Sequence, residues 1–265
     1  MLAVDWSGRA KGAERRIWLA EVRAGRLVRL ENGRKREELV SELIGCAEAT
    51  TEIVVGLDFA FSFPGWFLRE RGLGDASALW RTVASEGESW LARCEPPFWG
   101  RPGKRRPEFD ALRPWLRRTE GERPPQRGIS PKSVFQIGGA GAVGTGSLRG
   151  MAELARLSSA GFAIWPFDAP RTPLVLGIYP RHFTPGVNKS RRAARELFLA
   201  NRWPGLSREW TRVASASEDA FDAAVSALTM DAHADELVTL DDVRDPLLRL
   251  EGRIWAPQVD PCSNP

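Results

Sequence analysis

The chain has 265 residues, which is long for one domain and short for two full ones, and its 43% hydrophobic and 27% charged residues are ordinary for a globular protein. No apolar run is long enough to cross a bilayer, and the start Met1–Gly8 lacks the pattern of a signal peptide, so a cytoplasmic protein is expected. Three widely spaced cysteines exclude a disulfide framework or a cysteine zinc site, and the net charge of +4 permits a polyanionic partner without requiring one.

The first sixty residues predict a strand meander, then a helix and a buried strand. Apolar residues cluster between turns over residues 2–6, 17–22 and 27–30, which is typical of short strands. From Glu37 to Ala49 the apolar residues recur at helical spacing. The next apolar run, residues 53–57, has no polar interruption, as expected of a strand that is covered on both faces.

The rest of the chain alternates helices and strands around a Pro- and Arg-rich insertion over residues 64–132, which contains one predicted helix at 76–93. The remaining predicted elements are helices at 147–160, 190–200 and 217–230 and strands at 162–167 and 174–179. This order predicts an α/β fold in which an antiparallel three-strand meander joins parallel strands in one mixed sheet flanked by helices. We expect a single domain over residues 1–255 and a flexible tail over 256–265.

Two aspartates lie where apolar strands end. Asp5 interrupts the first strand, and Asp58 follows the buried strand. A carboxylate in such a position is costly if it is buried without a partner. Each one alone is explained as the cap of a turn. Together they favour a ligand site, because ligands collect outside the carboxyl ends of strands in open α/β sheets.

Two more aspartates lie on the predicted helix 217–230. Asp219 and Asp222 are three residues apart, so they share one side of the helix beside an apolar stripe. Ser215 and Glu218 fit a capping box, and the helix dipole favours Asp219 in the first turn. Asp222 lies deeper in the helix, where neither explanation applies well.

Carboxylates that converge on one point repel each other, and a divalent cation removes that repulsion. Mg²⁺ and Mn²⁺ suit oxygen ligands, and two such ions about 3.5–4 Å apart can align a water and stabilise the leaving oxygen in phosphodiester cleavage. Only His182 and His233 are available as imidazole ligands, which argues against a histidine-rich site. The pattern therefore favours a carboxylate centre that binds Mg²⁺ or Mn²⁺.

These motifs resemble the ribonuclease-H-like superfamily and, more closely, a domain-of-unknown-function family of predicted RNase H-like nucleases. The matching segments are Ala3–Gly8, Val55–Ala60 and Glu218–Leu228. The resemblance implies a nuclease that hydrolyses phosphodiester bonds in nucleic acid with two metal ions. It further implies that Asp5 bridges the two ions and that Asp58 and Asp222 each hold one. Asp219 would be a fourth ligand or would position water.

Two other functions fit the same sequence. The glycine-rich run 138–146, which precedes Ser147, could hold a phosphate at the start of the next helix, as in an actin-like or sugar-kinase-like ATP-dependent phosphotransferase. No Lys-Ser or Lys-Thr pair follows these glycines, so the run is not a P-loop, and two such domains normally need a longer chain. The second alternative is a non-catalytic nucleic-acid-binding protein, although clustered carboxylates would repel its ligand.

A basic stretch offers contacts to DNA or RNA. Residues 101–132 contain ten Lys or Arg against four Asp or Glu, and Trp99 and Trp115 lie beside and within this stretch. Basic residues interleaved with aromatic ones suit a nucleic-acid backbone with stacked bases. A solvated, Pro-rich excursion explains the same pattern equally well.

Single residues elsewhere complete the predicted substrate site. A second basic cluster either contacts phosphates or forms a solvated helix face: Arg181, Lys189, Arg191, Arg192 and Arg195. We predict that Arg181, Lys132 and Ser7 bind substrate, with Ser7 alternatively serving only the turn that follows Asp5.

Overall fold

The computed structural model describes residues 1–122 and 132–258. Its strands are β1 (Leu2–Asp5), β2 (Trp18–Arg23), β3 (Arg26–Glu31), β4 (Val54–Leu57), β5 (Ala163–Trp165) and β6 (Leu174–Gly177). They form one six-stranded sheet in the order β3-β2-β1-β4-β6-β5. The first three strands pair antiparallel, and β1, β4, β6 and β5 pair parallel. This arrangement confirms the predicted mixed α/β sheet with an antiparallel meander at one edge.

Helices lie on both faces of the sheet. They are α1 (Arg36–Ala49), α2 (Gly65–Glu70), α3 (Ala76–Arg93), α4 (Arg118–Gly121), α5 (Gly144–Ser159), α6 (Arg192–Arg202), α7 (Arg208–Ala214), α8 (Glu218–Ala232), α9 (Ala234–Val238) and α10 (Pro246–Glu251). The sequence predicts the longer ones, and the bounds of α3 agree at both ends. The helices of four to seven residues were missed, because two turns or fewer show no measurable periodicity. Within the described residues, no helix is both long and apolar enough to cross a membrane.

The start of α8 differs from the predicted capping box. Ser217, not Ser215, is the N-cap, and its hydroxyl accepts a hydrogen bond from the Ala220 amide at 3.0 Å. The Ser215 carbonyl instead accepts two hydrogen bonds from the guanidinium of Arg195, at 3.0 and 2.6 Å. The helix therefore begins at Glu218, which places Asp222 in its second turn.

Side chains alternate between the two faces of the sheet along β1 and β4. The apolar residues are therefore divided into two cores, one on each face. Val4 and Leu57 belong to the core that α1, α3 and α5 cover, whereas Ala3 belongs to the core that α8 covers. Successive side chains of a strand point to opposite faces. Asp5 therefore points to the α8 side, and Asp58, which continues β4, does the same.

The Pro- and Arg-rich insertion adds to the first core rather than forming a core of its own. Its helix α3 contacts α5 more extensively than any other element. Five aromatic rings of the same core, one of them in α3, pack against one another: Phe63, Phe67, Trp90, Phe98 and Phe135. Residues 123–131 of the insertion and 259–265 of the predicted tail lie outside the described residues.

A glycine in β4 sets the distance between the sheet and α8. A Cβ built on Gly56 would lie 2.6 Å from the Sδ of Met230 in α8 and 3.1 Å from atoms of Ile178. Only a residue without a side chain leaves room for this contact. Gly56 therefore lets the helix that contains Asp222 approach the strand that ends at Asp58.

We predict that Gly56→Val lowers stability by about 1–3 kcal/mol, because the added methyl groups overpack the interface between β4 and α8. The measurement is the unfolding midpoint in urea. Gly45→Ala is the control, since Gly45 is an exposed residue of α1 with open space at its Cβ position. That change should stabilise the protein by about 0.8 kcal/mol through helix propensity. Equal midpoints for Gly56→Val and wild type would contradict the close packing of α8 on β4.

Candidate functional site

Asp5 and Asp58 lie side by side at the carboxyl ends of two adjacent parallel strands. Val4 pairs with Leu57 in register, and the Asp58 amide extends the ladder by donating to the Val4 carbonyl at 3.1 Å. Neighbouring strands are about 4.8 Å apart. The two residues are thus neighbours, and both are partly buried.

Helix α8 brings Asp222 to the same place. Burial raises the pKa of Asp5 well above its usual range, and the negative charges of Asp222, Asp58 and Asp219 raise it further. Burial, with the charge of Asp222, also raises the pKa of Asp58, to about 7. Such coupling requires the groups to be close. The charge of Asp222 thus reaches both strand-end acids, although the described residues contain no group of three acids close enough to hold a metal ion.

Lys189 forms an ion pair with Asp222. Its Nζ donates to both carboxylate oxygens, at 2.6 and 2.8 Å, and its side chain is only 6% exposed. Burial raises the pKa of Asp222, and the charge and hydrogen bonds of Lys189 act in the opposite direction. Lys189 also lowers the pKa of Asp5 and Asp58, although burial and the other carboxylates outweigh this effect.

The second basic cluster of the sequence therefore separates into two kinds of residue. Lys189 and Arg195 are buried and bound within the protein, whereas Arg191 and Arg192 are exposed. Arg195 donates to the Lys189 carbonyl as well as to the Ser215 carbonyl. The sequence could not separate the buried residues of this cluster from the exposed ones. A lysine that pairs with an acid far along the chain has the same local sequence pattern as a lysine in solvent.

Asp219 lies at the margin of the site. Its charge raises the pKa of Asp5, but its Oδ2 accepts a hydrogen bond from Arg16 at 3.2 Å. The side chains of Asp219 and Arg16 are 25% and 50% exposed. Asp219 thus has an ion-pair partner of its own, whereas a fourth ligand would need its carboxylate directed at the three other acids.

Two residues that follow β6 approach the same acids. Arg181 lowers the pKa of Asp222 by its positive charge, and its Nη1 donates to the Val187 carbonyl at 2.9 Å. Burial raises the pKa of Tyr179, and the charge of Asp58 raises it further. Arg181 therefore lies close enough to Asp222 for its charge to act there, and Tyr179 is a neighbour of the site that the sequence did not identify.

Ser7 belongs to a tightly held loop after β1. Its hydroxyl accepts a hydrogen bond from the Arg9 amide at 3.4 Å, and the residue is buried. Arg36 donates to the Ser7 carbonyl at 2.6 and 3.0 Å, and Arg149 donates to the Gly8 carbonyl. These contacts fit the alternative in which Ser7 makes the turn after Asp5.

The glycine-rich run ends against the loops that follow the two strand-end acids. A Cβ on Gly8 would collide with the backbone of Gly146 in the first turn of α5. The Ser147 hydroxyl accepts from the Ala60 amide at 3.1 Å. Near the middle of the run, the side chain of Lys132 lies against Gly141, with its Nζ 3.4 Å from a Cβ built there. Lys132 is thus exposed on the outer side of this run.

A cavity of about 330 Å³ opens elsewhere, between α1, α3 and α5. Arg36, Glu88, Arg149 and Glu153 line it, and none of the predicted site carboxylates does. Arg149 is occupied there by an ion pair with Glu88, Nε to Oε1 at 2.6 Å. The cavity is therefore separate from the acidic centre.

Asp5 and Asp58 are the neighbouring oxygen donors that this centre could offer to a divalent cation. In the described part of the chain, no three His, Cys, Asp or Glu side chains converge closely enough to hold a metal ion by themselves. Lys189 covers both oxygens of Asp222, which leaves Asp5 and Asp58 as the adjacent pair. Mg²⁺ is often held by one or two carboxylates with waters and substrate oxygens completing the shell. The mutual repulsion of Asp5 and Asp58 is the charge that such an ion would neutralise.

Comparisons of the chain with protein-family models, with curated proteins and with solved structures gave no match. The resemblance to predicted RNase H-like nucleases therefore rests on the sequence motifs and stays a prediction.

We predict that Asp58→Asn stabilises the metal-free protein at pH 8 by about 1–3 kcal/mol. The pKa of Asp58 is raised in the folded state to about 7 from 3.8. Its contribution to stability is therefore fully present below pH 4 and is lost as the pH rises to 7. The measurement is urea unfolding with a chelator at pH 5 and at pH 8, where the gain should be larger at pH 8.

The matched control is Asp242→Asn, because Asp242 is exposed and distant in sequence from the centre. Its effect should be near zero at both pH values. A destabilisation of Asp58→Asn that is equal at pH 5 and pH 8 would contradict the repulsive environment of Asp58.

Proposed function

We propose that the protein is a divalent-cation-dependent nuclease that hydrolyses phosphodiester bonds in nucleic acid. The observation that carries the proposal is the placement of Asp5 and Asp58 side by side, where the charge of Asp222 on α8 acts on both. Clustered carboxylates are costly to bury and have no role in packing. A bound divalent cation would offset the repulsion between Asp5 and Asp58 that Lys189, which is paired with Asp222, does not remove.

The three acids would have separate roles. Asp5 and Asp58 would hold a Mg²⁺ or Mn²⁺ ion through carboxylate oxygens. When bound, such an ion activates a water and offsets the charge that develops on a phosphoryl group. Asp222 keeps Lys189 in place beside the centre, and Arg181 adds positive charge from the β6 side. The protein thus contributes fixed charges around the position of a scissile phosphate.

A basic loop supports a polyanionic substrate. Arg101, Lys104 and Arg105 are exposed, and a hydrogen bond from the Gly100 amide to the Lys104 carbonyl, at 3.0 Å, closes this loop. Gly100 contacts Gly138 at the start of the glycine-rich run, so neither tolerates a Cβ. The same run ends at Gly146 against Gly8, so it joins the basic loop to the loop that follows Asp5.

The tryptophans in this region do not offer surfaces for base stacking. Trp99 is only 7% exposed, with its ring 5.5 Å from that of Phe109. Trp115 is covered by the guanidinium of Arg106, 4.1 Å from its ring centre. The part of the sequence interpretation that relied on stacked bases is therefore not supported by these two side chains. Contacts to the phosphate backbone, which are independent of base sequence, fit the loop better.

The phosphotransferase alternative fits the geometry less well. The Gly144 amide donates to the Gln136 carbonyl at 2.9 Å, and the Gly146 backbone is covered by Gly8. A phosphate cradle needs backbone amides that point into an open space. The glycines of this run instead permit close packing of backbone on backbone.

We predict that the wild type cleaves nucleic acid with Mn²⁺ or Mg²⁺ and that Asp5→Asn, Asp58→Asn and Asp222→Asn each reduce the rate by roughly 10²–10³-fold. The assay is a screen over single- and double-stranded DNA, RNA, an RNA–DNA hybrid and a four-way junction. Mn²⁺ should also raise the melting temperature of the wild type, and Asp5→Asn should lose that gain.

Asp242→Asn is the control and should behave as wild type. Stabilisation by ATP instead of Mn²⁺, with no cleavage of any polymer, would favour a phosphotransferase. Nucleic-acid binding without cleavage or a response to Mn²⁺ would favour a non-catalytic binding protein.

We predict that the triple change Arg101→Ala, Lys104→Ala and Arg105→Ala weakens nucleic-acid binding and its dependence on salt. Each lost phosphate contact lowers the slope of log K against log salt by about 0.7–0.9. The measurement is fluorescence anisotropy at several salt concentrations, with a chelator present to prevent cleavage. Lys11→Ala is the control, because Lys11 is exposed but lies in the β1–β2 loop. An unchanged slope would exclude the basic loop as the binding surface.

A further inference from the structure

We infer that Lys189 takes the place of one of the two cations that the sequence resemblance implies, so that the centre binds a single divalent ion through Asp5 and Asp58. This inference rests on the proposed nuclease function and specifies how its charges are supplied. The sequence does not indicate that Lys189 lies beside these acids, whereas its ion pair with Asp222 in the structure does.

The contact between Lys189 and Asp222 is the first observation. The ammonium group donates to both oxygens of one carboxylate, at 2.6 and 2.8 Å. A divalent ion held by Asp222 would need one or both of these oxygens. An ammonium and a metal ion this close would also repel each other strongly in a partly buried site. The ion pair and a metal ion at Asp222 therefore exclude one another.

Lys189 is held in place, which makes it a fixed charge. Its side chain is 6% exposed, and its carbonyl accepts a hydrogen bond from the buried Arg195. The same guanidinium donates to the Ser215 carbonyl, just before α8. Arg195 thus fixes the lysine and the helix of its partner acid relative to each other. Displacing Lys189 would leave Asp222 partly buried and without this ion pair, which is costly.

The balance of charge agrees with one ion. Asp5, Asp58 and Asp222 together have three negative charges when ionised, and Lys189 with one divalent ion supplies three positive ones. A second ion would leave a net charge of plus two beside Arg181. Asp219 does not offset this excess, because it is paired with Arg16.

The test is to count bound Mn²⁺ ions by isothermal titration calorimetry on full-length protein. We expect one ion in the wild type and two in Lys189→Met, because that change frees both oxygens of Asp222. Lys189→Arg keeps the charge and should bind one ion, as should the control Lys11→Met. Two ions in the wild type, or one in a folded Lys189→Met, would overturn the inference.

If Lys189→Met does not fold, a second variant tests whether Asp222 is a metal ligand. Asp222→Asn should still bind one ion with an affinity within about 10-fold of wild type, because Asp222 is not a ligand. Loss of the only bound ion in Asp222→Asn would count against the inference. Two bound ions together with cleavage would overturn the inference and leave the nuclease proposal standing. One bound ion without cleavage of any polymer would overturn the nuclease proposal and leave the ion count standing.

Discussion

The register between β1 and β4 is the constraint on which the site depends. Parallel pairing of Val4 with Leu57 leaves the next residue of each strand, Asp5 and Asp58, as neighbours with like charges. The repulsion between these two carboxylates follows from the strand pairing, and positively charged side chains nearby offset part of it. Lys189 and Arg181 supply part of this charge at Asp222.

The fold contributes by bringing helix α8 into close contact with β4. Gly56 removes the side chain that would separate β4 from Met230, and Ala223, Ala224 and Ala227 keep the buried side of α8 thin. Asp222 lies in the second turn of the same helix, so the small residues that allow packing also set the position of the acid. The sequence of α8 therefore determines both its packing on the sheet and the position of Asp222.

The sequence predicted the sheet, the longer helices and the neighbouring positions of Asp5 and Asp58, because each leaves a local mark. Asp5 and Asp58 interrupt apolar strands, and Asp222 lies where capping does not explain it. The roles of Lys189, Arg195 and Asp219 could not be predicted, since each depends on a partner at another point in the chain. Lys189 is 33 residues from Asp222, and Asp219 is 203 residues from Arg16. Spacing within a helix or strand contains no information about such pairs.

The contact between Gly8 and Gly146 has a consequence for how this protein can vary over evolution. Two backbones that touch directly have no side chains between them that could adjust to a substitution, so neither position can drift without moving the other loop. Exposed positions such as those from Arg101 to Arg105 have no such restriction, since their side chains point into solvent. Geometry therefore restricts change at Gly8 and Gly146 more strongly than in the exposed loop.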